Sequence, residues 1–379
     1  MKLIDEFNVF RPNTTSREFF DNSNGIKCVH YGDIYKNYSG NTICSSSIAN
    51  HFSLSISESK VLACDAIIVP DVTETESDWG HFVYIKYDGA PYINGTHTFA
   101  ITCQDKLALQ YLFRYFYGKK NVLRLQSLLN GSTVFQISAK HFGNFELLNW
   151  HNTPTQRHIV NLIGSIDDKI ENNEKVMQIF NTYINAIFNK FTNNDSTMKI
   201  GEVVRKTGKP CKNKEWQNSQ VIDLSIMQPS NLIISQSSNG DKFDTNVYTL
   251  PPKTLLYGSI RPYFKKAGFS VGVNYVTGTV HSFECVDQNM YFWILATIGS
   301  GNFHNETHTK SQGTKMPIIN WEGFGSIEMP AIENGNLEKF NVLIEPFYQK
   351  ICNLILQNRK LHQLKSLYLK KFFETSTPN

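Results

Sequence analysis

His304, Glu306 and His308 form the compact run His-Asn-Glu-Thr-His, with His281 further away. Two imidazoles four residues apart with a carboxylate between them could hold a divalent metal. The run lacks the His-Glu-x-x-His order and an evident third ligand, so no metal is expected and these side chains read as polar loop residues. The seven cysteines, Cys28, Cys44, Cys64, Cys103, Cys211, Cys285 and Cys352, are odd in number and include no Cys-x-x-Cys pair. They are expected to be reduced packing residues, neither a zinc site nor a disulfide framework. No Gly-x-x-x-x-Gly-Lys-Ser/Thr loop is present, and no Asn/Asp-Pro-Pro-Tyr/Phe tetrapeptide that would grip a flipped adenine. Gly299-Ser300-Gly301 is followed by Asn302-Phe303-His304, which does not read as the opening of a helix. No catalytic residue is expected.

What remains is basic side chains interleaved with aromatic and amide ones. Lys and Arg supply affinity for a phosphate backbone, and amide, imidazole and guanidinium groups reach base edges. Arg205, Lys206, Lys209, Lys212 and Lys214 cluster with Gly208 and Pro210 and read as a loop. Arg261, Lys265 and Lys266 interleave with Tyr263 and Phe264. A third loop, 300–315, carries Asn302, His304, Asn305, Lys310, Gln312 and Lys315. In the first half the candidates are Tyr31, Lys36, Tyr38 and Asn41, then Trp79 and His81, then Lys119 and Lys120 with Arg124. Tyr35 and Tyr38 serve equally as sheet core, the option favoured for both. Trp79, beside Ser77, Asp78 and Gly80, reads as exposed. For each cluster the alternative is a solvated face.

Two segments could position these groups. Ile159, Ile163, Ile166, Ile170, Asn173, Met177, Phe180, Ile184, Ile187 and Phe191 recur at alternating steps of four and three. Ile344, Phe347, Ile351, Leu354, Asn358, Leu361, Lys365, Tyr368 and Phe372 repeat that alternation, with Leu364 and Leu367 widening the stripe. Such seams predict long helices paired as an antiparallel coiled coil, each about 38 residues or about 57 Å long. Pro346 is expected to start or kink the second. Asn173 and Asn358 either fix register as buried amides or face solvent in an Asn-rich chain.

The stretches before each helix are short β-type runs, at 26–31, 66–69, 81–85, 255–260, 269–273 and 276–280, broken by Gly, Asn, Asp, Ser and Pro. They also repeat. Gly131-Ser-Thr-Val-Phe-Gln-Ile-Ser-Ala-Lys-His-Phe142-Gly143-Asn-Phe-Glu146-Leu147 aligns without a gap with Gly313-Thr-Lys-Met-Pro-Ile-Ile-Asn-Trp-Glu-Gly-Phe324-Gly325-Ser-Ile-Glu328-Met329. Earlier, 63–70 resembles 255–262, each ending at a proline. A tandem duplication of domain plus helix follows.

A divergent domain ending in Gly-(Ser/Thr)-x-x-x-x-Ile-x-x-x-x-Phe-x-x-(Phe/Ile)-x-(Leu/Met), then a long helix, then the whole unit again, resembles the DNA-specificity subunits of type I restriction-modification systems. Gly32-Asp33-Ile34 and Leu256-Tyr257-Gly258-Ser259-Ile260-Arg261-Pro262-Tyr263 also look like that family's target-recognition domains. The resemblance implies an α/β (α+β) protein with pseudo-twofold arrangement: target-recognition domains at 1–150 and 196–332, and spacer helices at 151–195 and 333–379. It implies that each domain reads one half of a bipartite, asymmetric site in double-stranded DNA while the antiparallel helices act as a ruler. The helices would dock methyltransferase subunits, two per specificity subunit, with restriction/translocase subunits completing the enzyme. The chain itself would hold no cofactor: adenosylmethionine belongs to the methyltransferase subunit, ATP and Mg to the restriction subunit. The stretch 149–154 lacks the family's fuller proline-rich junction and keeps only Gln156, which leaves the first helix boundary open.

Bulk properties agree. The 379 residues exceed the size of a single core, and 41% hydrophobic with 18% charged residues is a globular composition. A net charge of +4 suits a polyanion partner without requiring one. The acidic N-terminal stretch and the lack of a long apolar run predict a cytoplasmic protein without a membrane span. The rival is a coiled-coil scaffold whose β domains bind a protein or glycan.

Overall fold

The computed structural model describes residues 1–374 except 12, 14, 16, 22–24, 39, 41, 54–59, 76–78 and 193–195. Asn41, Ser77 and Asp78 lie outside the described residues. Two long helices, Thr153–Phe191 and Asn334–Phe373, are the longest elements. The Asn152 Oδ1 accepts the Thr155 amide at 3.1 Å, and Pro154 occupies the first turn, where its missing N–H has no partner to lose. The buried Gln156 donates back to the His151 carbonyl at 2.9 Å. These bonds fix the boundary that 149–154 left open. The second helix neither starts at Pro346 nor stops there. It runs through the proline, whose absent N–H deprives the Val342 carbonyl on an exposed face, Val342 being 73% exposed.

Contacts divide the chain into two compact units, Met1–Lys169 with the chain from Leu361 onward, and Ile170–Lys360. Each contains one β-rich body and one stretch of both helices. In the first unit His158 meets Phe372 at 6.1 Å and Asp167 pairs with Lys365 at 2.7 Å. In the second, Phe180 packs edge-on against Phe347 at 5.3 Å and Phe191 against Phe340 at 5.8 Å. The helices are therefore antiparallel within each unit.

The seam from Ile159 to Ile184 is buried as the spacing predicts, then shifts: Phe188 is buried and Ile187 and Phe191 only partly so. On the terminal helix Ile344, Ile351, Leu354 and Asn358 are buried, but Tyr348 replaces Phe347, while Leu361, Lys365, Tyr368 and Phe372 are partly covered. A helix of about 3.6 residues per turn drifts from a strict heptad by roughly 20° per heptad, which moves the buried face along by one residue. Leu364 and Leu367 do not widen the stripe; they are 39% and 64% exposed.

In the first unit a five-stranded sheet has the order Asn8–Phe10, Thr98–Thr102, Ala66–Pro70, Val83–Lys86, Thr42–Cys44, and a second sheet runs Phe20–Asp21, His51–Phe52, Ile26–Val29, Tyr92–Asn94. The second unit answers with Val204–Lys206, Val280–Cys285, Leu255–Gly258, Ala267–Phe269, and Ser238–Asn239, Gln220–Ile222, Tyr275–Thr277, Val247–Thr249. The run at 276–280 is thus not one strand but the turn between two, and 269–273 begins where its strand ends. Neither body is purely β. Lys106–Tyr115 and Lys119–Gln126 in one, Tyr291–Gly299 and Gly301–Thr309 in the other, are helices packed on the sheets. The fold is mixed α+β.

The duplication is written in hydrogen bonds. Asn130 and Gln136 exchange a bridge at 2.9 and 2.8 Å, as do Gln312 and Ile318 at 2.9 and 2.8 Å. Leu3 N–H donates to the Phe145 carbonyl and Ile200 N–H to that of Ile327, both at 2.9 Å. Gly131 and Gly313 open the two hairpins at φ 140° and 101°, a conformation side chains resist. The earlier match needs correction. Ile137 N–H donates to the Asp71 carbonyl and Ile319 N–H to that of Ser259, so Asp71 is the counterpart of Ser259 and the 63–70 alignment to 255–262 is four residues out of register.

Candidate nucleic-acid interface

In the second unit the Leu255–Gly258 strand delivers the chain to a 3-10 turn, Pro262–Phe264, bounded by Arg261 and Lys265. The Arg261 N–H is taken by the Pro317 carbonyl at 2.7 Å, and Ile260 bridges Ile318, which fastens the turn to the 312–318 hairpin. Helix Gly301–Thr309 lies alongside, with His308 edge-on to Tyr263 at 5.6 Å. Three stretches distant in sequence thus bring Arg261, Lys265, Asn305, Gln312 and Lys315, all exposed, to one side of this body.

The 300–315 segment is not one loop. Ser300 caps a helix, its Oγ accepting the Phe303 amide at 3.3 Å, so the residues after Gly299-Ser300-Gly301 do open a helix. His304 faces inward from it, 3% exposed, with Nδ1 2.9 Å from the Tyr257 hydroxyl. Burial, reinforced by the positive Lys265, pushes its pKa down to about 4. His304 is therefore a packed neutral imidazole rather than a contact for bases or a metal. His281 likewise bonds the Ile319 carbonyl at 2.8 Å, and burial lowers its pKa. No cluster of three potential metal ligands occurs among the described residues.

The basic residues sort by whether they already have partners. Arg205 holds Glu284 at 2.6 Å, Lys214 holds Asp244 at 3.2 Å, and Lys310 reaches the Ser326 carbonyl at 2.8 Å. Lys266 is turned inward onto the Leu224 carbonyl at 2.5 Å, and burial lowers its pKa. Lys206, Lys209, Lys212, Arg261, Lys265 and Lys315 are exposed and enter no ion pair among the described residues. Arg205 and Lys206 sit on an edge strand, not in the loop that their neighbours Gly208 and Pro210 suggested. Asn302 is exposed on the first turn of its helix.

In the first unit the candidates are less gathered. Trp79 is 1% exposed, with its indole N–H on the Pro70 carbonyl at 2.9 Å. A large ring gains more from burial than acidic neighbours gain from its exposure, once the N–H finds an acceptor. Tyr31 lies tilted against His30 at 4.5 Å and edge-on to His97 at 5.6 Å, and Tyr35 contacts His81 at 5.1 Å. Tyr38 is half-buried and takes the Ala49 amide at 3.4 Å; Lys36, Lys119 and Lys120 are exposed. Arg124 lies over Phe145 at 4.6 Å and donates to the Glu146 carbonyl. Nothing in the residue pattern points to His97, left-handed at φ 61° and 3.3 Å from Asp71, or to exposed Met316 and Ile318 beside the 261–265 turn. Gly313, marking a hairpin, was the available signal for the latter.

The class that this geometry defines is a duplicated α+β protein whose two copies each carry an N-terminal short helix, paired sheets, two packed helices and a long helix. Its fold is that of type I restriction-modification S subunits. The chain matches the type I restriction-modification system S subunit from M. genitalium with TM-score 0.60 and 14% identity, covering 100% of this chain and 96% of that one. It is also similar to the HsdS subunit from Thermoanaerobacter tengcongensis, with TM-score 0.30, 12% identity and 91% and 93% coverage. No protein-family model and no curated protein matches the sequence.

Proposed function

We propose that this chain is the non-catalytic DNA-specificity subunit of a type I restriction-modification enzyme. The observation that carries this is one architecture repeated twice in a chain whose full length shares the S-subunit fold. Each body reads one half of a bipartite site in double-stranded DNA. In the second, Lys209, Lys212, Arg261, Lys265 and Lys315 neutralise phosphates, while Asn305 and Gln312 face base edges. In the first, Lys36, Lys119 and Lys120 play the phosphate role. The long helices set the number of base pairs between half-sites and dock methyltransferase subunits through exposed apolar side chains, Ile179, Val342, Leu343 and Leu356 on one unit and Leu364 and Leu367 on the other. Adenosylmethionine, ATP and Mg are assigned to the partner subunits.

The test is duplex binding by the full chain assembled with its methyltransferase subunit, measured at about 50 and about 200 mM salt. Affinity that falls steeply with salt supports the assignment. Salt-insensitive or absent binding, with capture of a protein or glycan instead, supports the scaffold alternative.

A further inference from the structure

Arg261 and Lys265 both adopt left-handed backbone, at φ 50° and 54°, although neither is glycine. Between them Pro262–Phe264 forms a single 3-10 turn that presents Tyr263 and Phe264 outward, each 42% exposed. Their rings touch with centroids 4.7 Å apart. The turn is tied down on both sides: Arg261 N–H to the Pro317 carbonyl at 2.7 Å, and Ser230 N–H to the Lys265 carbonyl at 2.9 Å. Such conformations persist only where the surroundings impose them, and they gather at functional sites. Met316 and Ile318, 50% and 41% exposed on the attached hairpin, extend the apolar ridge.

An apolar, aromatic ridge with an unpaired cation at each end fits a duplex, where stacked bases lie behind a rail of phosphates. Resting on the DNA-binding reading, we propose that this ridge is a wedge. Tyr263 and Phe264 stack against or between base pairs of the half-site, Arg261 and Lys265 hold the flanking phosphates, and the second domain deforms its DNA as well as reading it. After Asp71, the counterpart of Ser259, Val72 pairs with Gln136 as Ile260 does with Ile318, and the first domain then buries Trp79. By sequence the stretch Val72-Thr-Glu-Thr-Glu-Ser-Asp78 holds no aromatic pair, so the wedge is assigned to the second domain.

The probe is a duplex carrying the bipartite site recovered by methylation sequencing, with 2-aminopurine substituted singly across each half. It is bound by the full chain assembled with its methyltransferase subunit. Apart from the adenine that the methyltransferase flips, the wild type should brighten 2-aminopurine at one or two adjacent positions of one half only. Tyr263→Ala with Phe264→Ala, both exposed side chains, should abolish that signal and weaken binding roughly tenfold to hundredfold. Arg261→Ala should lower the salt slope by about one while retaining the signal. Silent 2-aminopurine with unchanged affinity in the double variant overturns the wedge and leaves the DNA reading standing. Loss of methyltransferase assembly in that variant, with normal DNA binding by what assembles, makes the ridge a protein-docking surface and also overturns it. If the wild-type assembly binds no duplex, the DNA reading fails and the wedge with it.

Discussion

Asn173 donates its amide nitrogen to two acceptors on the facing helix, the Asn358 Oδ1 at 2.7 Å and the Gln357 Oε1 at 2.8 Å. Both asparagines are buried, at 2% and 5% exposure. Buried amides in an apolar seam are satisfied in one alignment only, which resolves the choice between register lock and solvated side chain. Asn358→Leu should leave one of the two Asn173 amide protons without its acceptor, the Gln357 bond remaining, and destabilise by about 1–3 kcal/mol. The double Leu variant should regain most of that but lose unique register. Urea unfolding measures the first effect, and cysteine cross-linking between facing positions of the second unit measures the second.

Arg205 and Lys214 are already engaged by Glu284 and Asp244, whereas Lys209 and Lys212 are not. Alanine substitutions at Lys209 and Lys212 should each flatten the salt dependence of duplex binding by about one phosphate contact, and Arg205→Ala should do so less. A larger effect at Arg205 would mean that Glu284 releases it on binding.

Gly268 has φ 150°, and a Cβ there would lie 2.0 Å from the Leu232 carbonyl oxygen. Gly268→Ala should cost at least about 3 kcal/mol, because backbone rather than a flexible side chain must move. Gly335, with nothing within 4 Å of its Cβ, is the control, and its Ala variant should unfold at the wild-type urea concentration or slightly above.

His304 has a pKa of about 4 when folded, depressed by burial and then by Lys265. The unfolded chain binds that proton below about pH 6.5 and the native chain does not until about pH 4. Its contribution is therefore complete above pH 6.5 and is lost as pH falls towards 4, a decline on the order of 3 kcal/mol. Urea midpoints across this range should fall less steeply in His304→Asn than in the wild type.

The long helices and the duplication were legible because both rest on periodicity. Ile159 through Ile184 occupy the buried face as spaced, and the 131–147 match to 313–329 reappears as paired bridges. The helices inside the bodies were not legible. Tyr291–Gly299 is apolar on nearly every face, and a short run without a stripe reads equally as a buried strand. Trp79 and His304 were misplaced because composition shows polarity around a residue, whereas the Pro70 carbonyl and the Tyr257 hydroxyl that let them bury come from elsewhere in the fold. The site clusters were only partly legible for the same reason: Glu284 and Asp244, which occupy Arg205 and Lys214, are far away in sequence.

Single-molecule methylation sequencing tests the central claim most directly. A cell expressing this chain with its genomically adjacent methyltransferase subunit should acquire a bipartite adenine-methylation motif that disappears when the chain is removed. An unchanged methylome, with that methyltransferase shown to be active alongside another specificity subunit, would contradict it.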